Sequence, residues 1–223
     1  MEARITGIDR GEALRYLRCR EGSEPAEVRA LLERAEARLL AVARPRCVWK
    51  LFDLSPEGVL AGTEFYPQGA DIRAFLASCD QVIVMGATLG AESEALLRRT
   101  QARNMAEAVV LDACASAAVE NVCDNLCADL AELFAPRYLT DRYSPGYGDF
   151  PFSQQREVFA VLDMTRRIGV SLTESGLMLP QKSVTALIGV SDLPQPKRRR
   201  GCESCSNYET CAYRKEGKPC GAN

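Results

Sequence analysis

The sequence predicts an α+β fold, an antiparallel sheet flanked by helices, followed by a short Cys-rich tail. Helical and strand-like stretches are mixed without the regular βαβ alternation of a parallel sheet. A long apolar stripe at helical spacing and a near-continuous apolar run just before it supply a core helix and a buried strand. From residue 194 the composition turns to Pro, Lys, Arg and Cys, which marks residues 1–193 as the folded unit and 194–223 as a basic linker with a metal-binding tail.

Taken in order, Asp9 caps a short helix over 10–18, and Ser23-Glu24-Pro25 opens a longer one to about 43. On that helix Val28, Leu31, Leu32, Ala35, Leu39 and Leu40 share one side. Residues 47–54 read as a strand, Ser55-Pro56-Glu57-Gly58 as a turn and 59–64 as a second strand, together a hairpin. Gly69-Ala70-Asp71 opens a helix ending near 78. The strand 81–86 and the turn Ala87-Thr88-Leu89-Gly90 follow, then helices over 92–102 and 104–134. Ala108, Val109, Ala115, Val119, Val122, Leu126, Leu130 and Phe134 form the core stripe of the second helix. Two glycines and a proline make Tyr143-Ser144-Pro145-Gly146-Tyr147-Gly148-Asp149 a loop. A helix over 152–168 points Val158, Phe159, Leu162 and Ile168 inward, and 170–173, 177–179 and 183–190 read as short strands.

Composition narrows the chemistry. The 223 residues are 47% hydrophobic, enough for one sizeable core with a small appendage. A net charge of −2 gives no global field toward nucleic acid or membrane. No apolar signal region follows Met1 and no apolar run is long enough to cross a bilayer, so a cytoplasmic protein is expected. The chain has no histidine, which removes imidazole bases, His-paired nucleophiles and His metal ligands.

Of ten cysteines, Cys19, Cys47, Cys79, Cys114, Cys123 and Cys127 are scattered through apolar or amphipathic stretches and read as buried free thiols. Cys202, Cys205, Cys211 and Cys220 crowd the tail, beginning with a C-x2-C knuckle. Four thiolates close either a zinc site or an iron–sulfur cluster. Lys197-Arg198-Arg199-Arg200, Arg214, Lys215 and Lys218 would offset their charge. The linker around Pro194 and Pro196 reads as a solvated spacer or as a docking strip for an acidic partner.

The stretch Arg142-Tyr143-Ser144-Pro145-Gly146-Tyr147 resembles the Arg-Pro-Ala-Pro-Gly-Tyr signature of the activation domain of cobalamin-dependent methionine synthase. After it come Leu172-Thr173-Glu174-Ser175, Pro180 and the strand led by Ser183-Val184, in the family's order and at similar spacing. Ala118-Val119-Glu120-Asn121 is similar to an Ala-Glu element of the family. The similarity covers about 113–191, and the earlier half matches only in style, chiefly at Gly86-Ala87-Thr88-Leu89-Gly90. The chain departs from the signature at Tyr143, where the family has Pro, and at Ser144, where it has Ala.

The resemblance implies an S-adenosylmethionine site. Arg142 offers a planar fork to the ligand's carboxylate, and Glu120 an acid for its ammonium or ribose hydroxyls. Ser144 and Gly146 offer backbone contacts, and Tyr147 an aromatic flank. Thr173 and Glu174 are expected to be structural or partner-facing. The family's activity implies that the chain reactivates oxidised cob(II)alamin carried by a separate methionine synthase, with an electron donor such as flavodoxin or ferredoxin. The nucleophile is then the partner's cobalt, so no catalytic residue is expected here. That role favours an iron–sulfur cluster over zinc in the tail, as an electron relay. The alternatives are a reactivator of another corrinoid methyltransferase and a non-enzymatic binding module with a structural zinc tail.

Overall fold

The computed structural model describes residues 2–195 apart from 20, 21 and 23. The chain runs through α1 (Arg10–Tyr16), α2 (Ala26–Val42), β1 (Arg46–Asp53), α3 (Ala70–Leu76), β2 (Gln81–Thr88), α4 (Ala91–Gln101) and α5 (Met105–Phe134). It continues with β3 (Tyr138–Leu139), α6 (Gln155–Leu162), α7 (Met164–Ile168), β4 (Ser171–Leu172), β5 (Met178–Leu179) and β6 (Ser183–Ser191). The main sheet has the order β1-β2-β6-β3 with every pairing antiparallel, and β4 and β5 form a small separate hairpin. The predicted class, an antiparallel sheet flanked by helices, is the observed one.

Side chains alternate across the sheet with the period of two that a strand imposes. Ile83, Met85 and Ala87 of β2, with Ala186, Ile188 and Val190 of β6, face one core shared with α1, α2, α4 and α5. Val82, Val84 and Leu187 face a second core with Ile72, Tyr143, Phe150, Val158, Leu162 and Met164. Because helices cover both faces, β2 is buried at every position after Gln81. That double burial is why its sequence lacks polar alternation. Asn104 caps the 30-residue α5, its side chain accepting from the Ala106 and Glu107 N–H groups at 3.0 and 3.2 Å.

Four expectations need correction. Residues 59–64 do not form a strand: β1 pairs with β2, and the segment touches it only through a Leu54–Leu60 bridge. Gly62 at φ +75° turns the chain there, and the Leu60 N–H and Phe65 carbonyl close the turn at 3.1 Å. Leu60 and Phe65 are instead buried individually in the second core. The helix expected over 152–168 is broken at Asp163, whose φ of +53° ends α6 and lets α7 restart with Met164 and Ile168 inward. β2 runs on to Thr88, two residues into the expected turn, because the Ser183 hydroxyl donates to the Thr88 hydroxyl at 2.8 Å and pays the cost of burying both. Val109 is 53% exposed and lies outside the core stripe of α5, where Val110 and Leu111 are buried instead.

All six cysteines among the described residues are free thiols, with Cys114 and Cys123 buried and the others half-buried. Burial pushes the Cys114 thiol up to about 11 and the Cys123 thiol further still, so both remain protonated and packed. The expected ligands Cys202, Cys205, Cys211 and Cys220 lie outside the described residues. No helix among the described residues is long and apolar enough to cross a membrane.

Candidate functional site

The candidate residues gather where β3 leaves the edge of β6. Thr140 stays in register there: its N–H donates to the Gly189 carbonyl at 3.0 Å and its hydroxyl accepts the Gly189 N–H at 2.8 Å. An uninterrupted strand would next set Tyr143 opposite Ala186. Instead Tyr143 bridges Leu187, exchanging both backbone bonds at 2.9 Å, so one extra residue is accommodated as a bulge. The extra residue reverses which way the following side chains face. Tyr143 enters the second core, 3% exposed, its ring 5.1 Å from that of Phe75 and 6.3 Å from that of Phe150. Arg142 faces the opposite way, onto α5.

On α5 the guanidinium meets two carboxylates. Arg142 Nη2 donates to Glu120 Oε2 at 2.6 Å and Nη1 to Asp124 Oδ1 at 2.7 Å. Glu120 and Asp124 are four residues apart, on one face of the helix. The fork spans both, one arm on each. Arg142 is 15% exposed, Glu120 40% and Asp124 66%, so the pair opens to solvent on the carboxylate side. Beneath it Arg142 Nη1 lies 3.6 Å from Cys127 Sγ. Burial pushes the Cys127 thiol up, opposed by the Arg142 charge, and Cys127 therefore serves as packing under the ion pair.

The loop that follows is a built turn. The Tyr147 N–H donates to the Ser144 carbonyl at 3.2 Å, with Pro145 second and Gly146 third at φ +93°, the residue order of a type II turn. The Gly146 N–H is taken by the Phe150 carbonyl at 2.8 Å, so the donors of Gly146 and Tyr147 are both used inside the loop. Tyr147 stands 59% exposed. A Cβ on Gly148, at φ +53°, would lie 2.4 Å from the Tyr143 hydroxyl and 2.5 Å from an Asp71 oxygen, which only glycine tolerates. Asp149 anchors the far end, its carboxylate accepting the Ala70 and Asp71 N–H groups at 2.6 and 3.0 Å at the start of α3.

Phe152 joins this turn to the second motif. A Cβ on Gly146 would lie 3.5 Å from the Phe152 ring and one on Gly176 3.3 Å from it, so the ring is sandwiched between the two glycine turns. Thr173 holds its own turn, its hydroxyl accepting the Leu177 N–H at 3.0 Å and lying 2.9 Å from the Ser175 hydroxyl. The Glu174 carbonyl accepts from Arg156. Leu177 and Phe152 are 57% and 45% exposed beside the turn.

Of the sequence candidates, Glu120 and Arg142 touch directly, while Ser144, Gly146 and Tyr147 form the adjoining turn. None of the five lines either of two surface hollows. One of about 430 Å3 lies among Leu54, Pro67, Arg73 and Cys79, and one of about 290 Å3 lies among Tyr16, Met105, Val109 and Ser116. Sequence reasoning missed Asp124 and Asp149. Asp124 was detectable as the residue one turn after Glu120, but Asp149 caps a helix 78 and 79 residues away and carries no local signal.

Residues 90–195 match the family model of the vitamin B12 dependent methionine synthase activation domain, a stretch running from the start of α4 to the end of β6 that includes all five candidates. The chain is similar in structure to a crystal structure of the MetH reactivation domain bound to AdoHcy, with a TM-score of 0.53 and 17% identity. That superposition covers 94% of this chain and 74% of the other. No curated protein matches the chain.

Proposed function

We propose that this chain, which matches the family model of the vitamin B12 dependent methionine synthase activation domain over residues 90–195, binds S-adenosylmethionine and supports reductive methylation of oxidised cob(II)alamin on a separate methionine synthase in the cytoplasm. The observation that supports this best is the contact of Glu120 with Arg142 at the head of the Ser144–Tyr147 turn, inside the matched stretch. An acid and an arginine side by side suit the ammonium and carboxylate of an amino acid. Tyr147 adds an exposed aromatic face for the rest of the ligand. Gly146 contributes its backbone carbonyl, since its N–H already serves Phe150, and Ser144 its N–H, since its carbonyl already closes the turn.

With a partner's corrinoid cobalt as methyl acceptor and a flavodoxin- or ferredoxin-type donor to supply the electron, transfer of the sulfonium methyl group would leave a neutral thioether. This chain's residues hold the ligand's charged end, orient the methyl group toward the partner and exclude water. The absence of histidine is compatible with that role, because no base is needed. The exposed Phe152 and Leu177, beside the Gly146 turn, offer an apolar surface to such a partner.

The test mixes the partner's cob(II)alamin, electron donor and S-adenosylmethionine with and without this chain, and follows methylcobalamin by its absorbance. Faster formation with the chain is expected, and equal rates would end the reactivation reading. For the tail we propose that Cys202, Cys205, Cys211 and Cys220 hold an iron–sulfur cluster that relays the electron. Anaerobic purification is expected to give a coloured protein with iron and sulfide. A colourless protein with stoichiometric zinc would remove the relay and leave the activation reading standing.

A further inference from the structure

We infer that Asp124, acting with Glu120, makes this site prefer the cationic S-adenosylmethionine to its net-neutral demethylated product, S-adenosylhomocysteine. The inference rests on the S-adenosylmethionine reading of the site and concerns how the spent ligand is discriminated.

Charge pairing along α5 is the starting observation. Glu107, Asp112 and Asp129 each have a basic partner of their own, in Arg38 at 3.3 Å, Lys182 at 2.9 Å and Arg4 at 2.6 Å. Glu120 and Asp124 instead share the one guanidinium of Arg142. The shared pair leaves one negative charge in excess, and the two carboxylates are the solvent-facing members of the cluster, 40% and 66% exposed against 15% for Arg142. Lys182, whose ammonium reaches Ser116 one turn before Glu120, is held by Asp112.

The two ligands differ in charge by one unit. S-adenosylmethionine carries a carboxylate, an ammonium and a sulfonium, so its net charge is +1 by its chemical structure. Transfer of the methyl group leaves the bonding pair on sulfur as a neutral thioether, and the net charge falls to zero. A site with an excess carboxylate attracts the first and has no net attraction for the second. The expelled product then gives way to fresh S-adenosylmethionine.

The test is calorimetric titration of the full chain and of Asp124→Asn with each ligand, at low and at moderate salt. Asp124 is exposed and its neutral amide is isosteric, so the variant keeps the fold, which its circular dichroism and unfolding midpoint check. The unaltered chain is expected to bind S-adenosylmethionine more tightly than S-adenosylhomocysteine, and the ratio is expected to fall about fivefold in Asp124→Asn, the scale of an exposed ion pair. Salt should narrow the ratio in the unaltered chain and much less in the variant. A ratio unchanged by Asp124→Asn, with S-adenosylmethionine still bound, overturns this inference and leaves the binding reading intact. Failure of the unaltered chain to bind either ligand overturns the binding reading itself.

Discussion

Replacing Arg142 by Ala is expected to weaken S-adenosylmethionine binding by about 1.5–3 kcal/mol, roughly ten- to a hundredfold, through loss of a charged hydrogen-bonding group. The same change is expected to lower folding stability by about 1–3 kcal/mol, between the values for exposed and for buried ion pairs. Two causes act together. The ligand loses the fork, and Glu120 and Asp124, which now share one cation, are left facing each other on successive turns of α5. Arg142→Lys separates the two effects. A lysine keeps the charge but offers no planar fork to bridge two carboxylates, so stability should recover more than affinity. Isothermal titration and urea unfolding measure the two quantities. Equal affinity in Arg142→Ala and the unaltered chain would remove Arg142 from the site.

The second large effect is expected at Tyr143, through the fold. Tyr143→Ala should cost about 3–5 kcal/mol, the range for removing a buried aromatic ring, because the ring is 3% exposed and packs on Phe75 and Phe150. That is a large share of the roughly 5–15 kcal/mol that holds a domain together. Tyr143→Phe keeps the ring and should retain most of the stability. Tyr143→Pro, which restores the residue of the family signature, should lose the ring and also the N–H that the Leu187 carbonyl accepts at 2.9 Å. Chemical denaturation of the three variants gives the ordering, and a loss in Tyr143→Phe equal to that in Tyr143→Ala would move the energy from the ring to its hydroxyl. The departure from the signature thus concerns the second core, while Arg142 on the other face keeps its contacts with α5.

Much of this architecture was legible in the residues. α5 was readable because its apolar positions repeat at helical spacing, a local signal, and the structure adds the Asn104 cap at its start. The Ser144–Tyr147 turn was readable because proline and glycine restrict or free the backbone at their own positions. The buried strand β2 was readable from its apolar run, although its end was not, since Thr88 is polar and its burial depends on Ser183. The hairpin at 47–64 was misread because a short apolar stretch after a Gly-containing turn has no signal for which strand it will meet. β1 found β2 instead, and the Gly62 turn left Leu60 and Phe65 to fill the core singly.

By itself, then, the sequence determined the fold class, the long helix, the turn beside Arg142 and the set of residue types from which the site is made. These follow from backbone preferences and apolar periods that act over a few residues. The tertiary structure decided how those residues face one another. The single extra residue between Thr140 and Tyr143 aims Arg142 at α5, and nothing in that segment states its register against β6. The pairing of one guanidinium with both Glu120 and Asp124, and the capping of α3 by Asp149, join residues far apart in the chain. Such contacts are set by strand register and helix packing, which depend on the whole core.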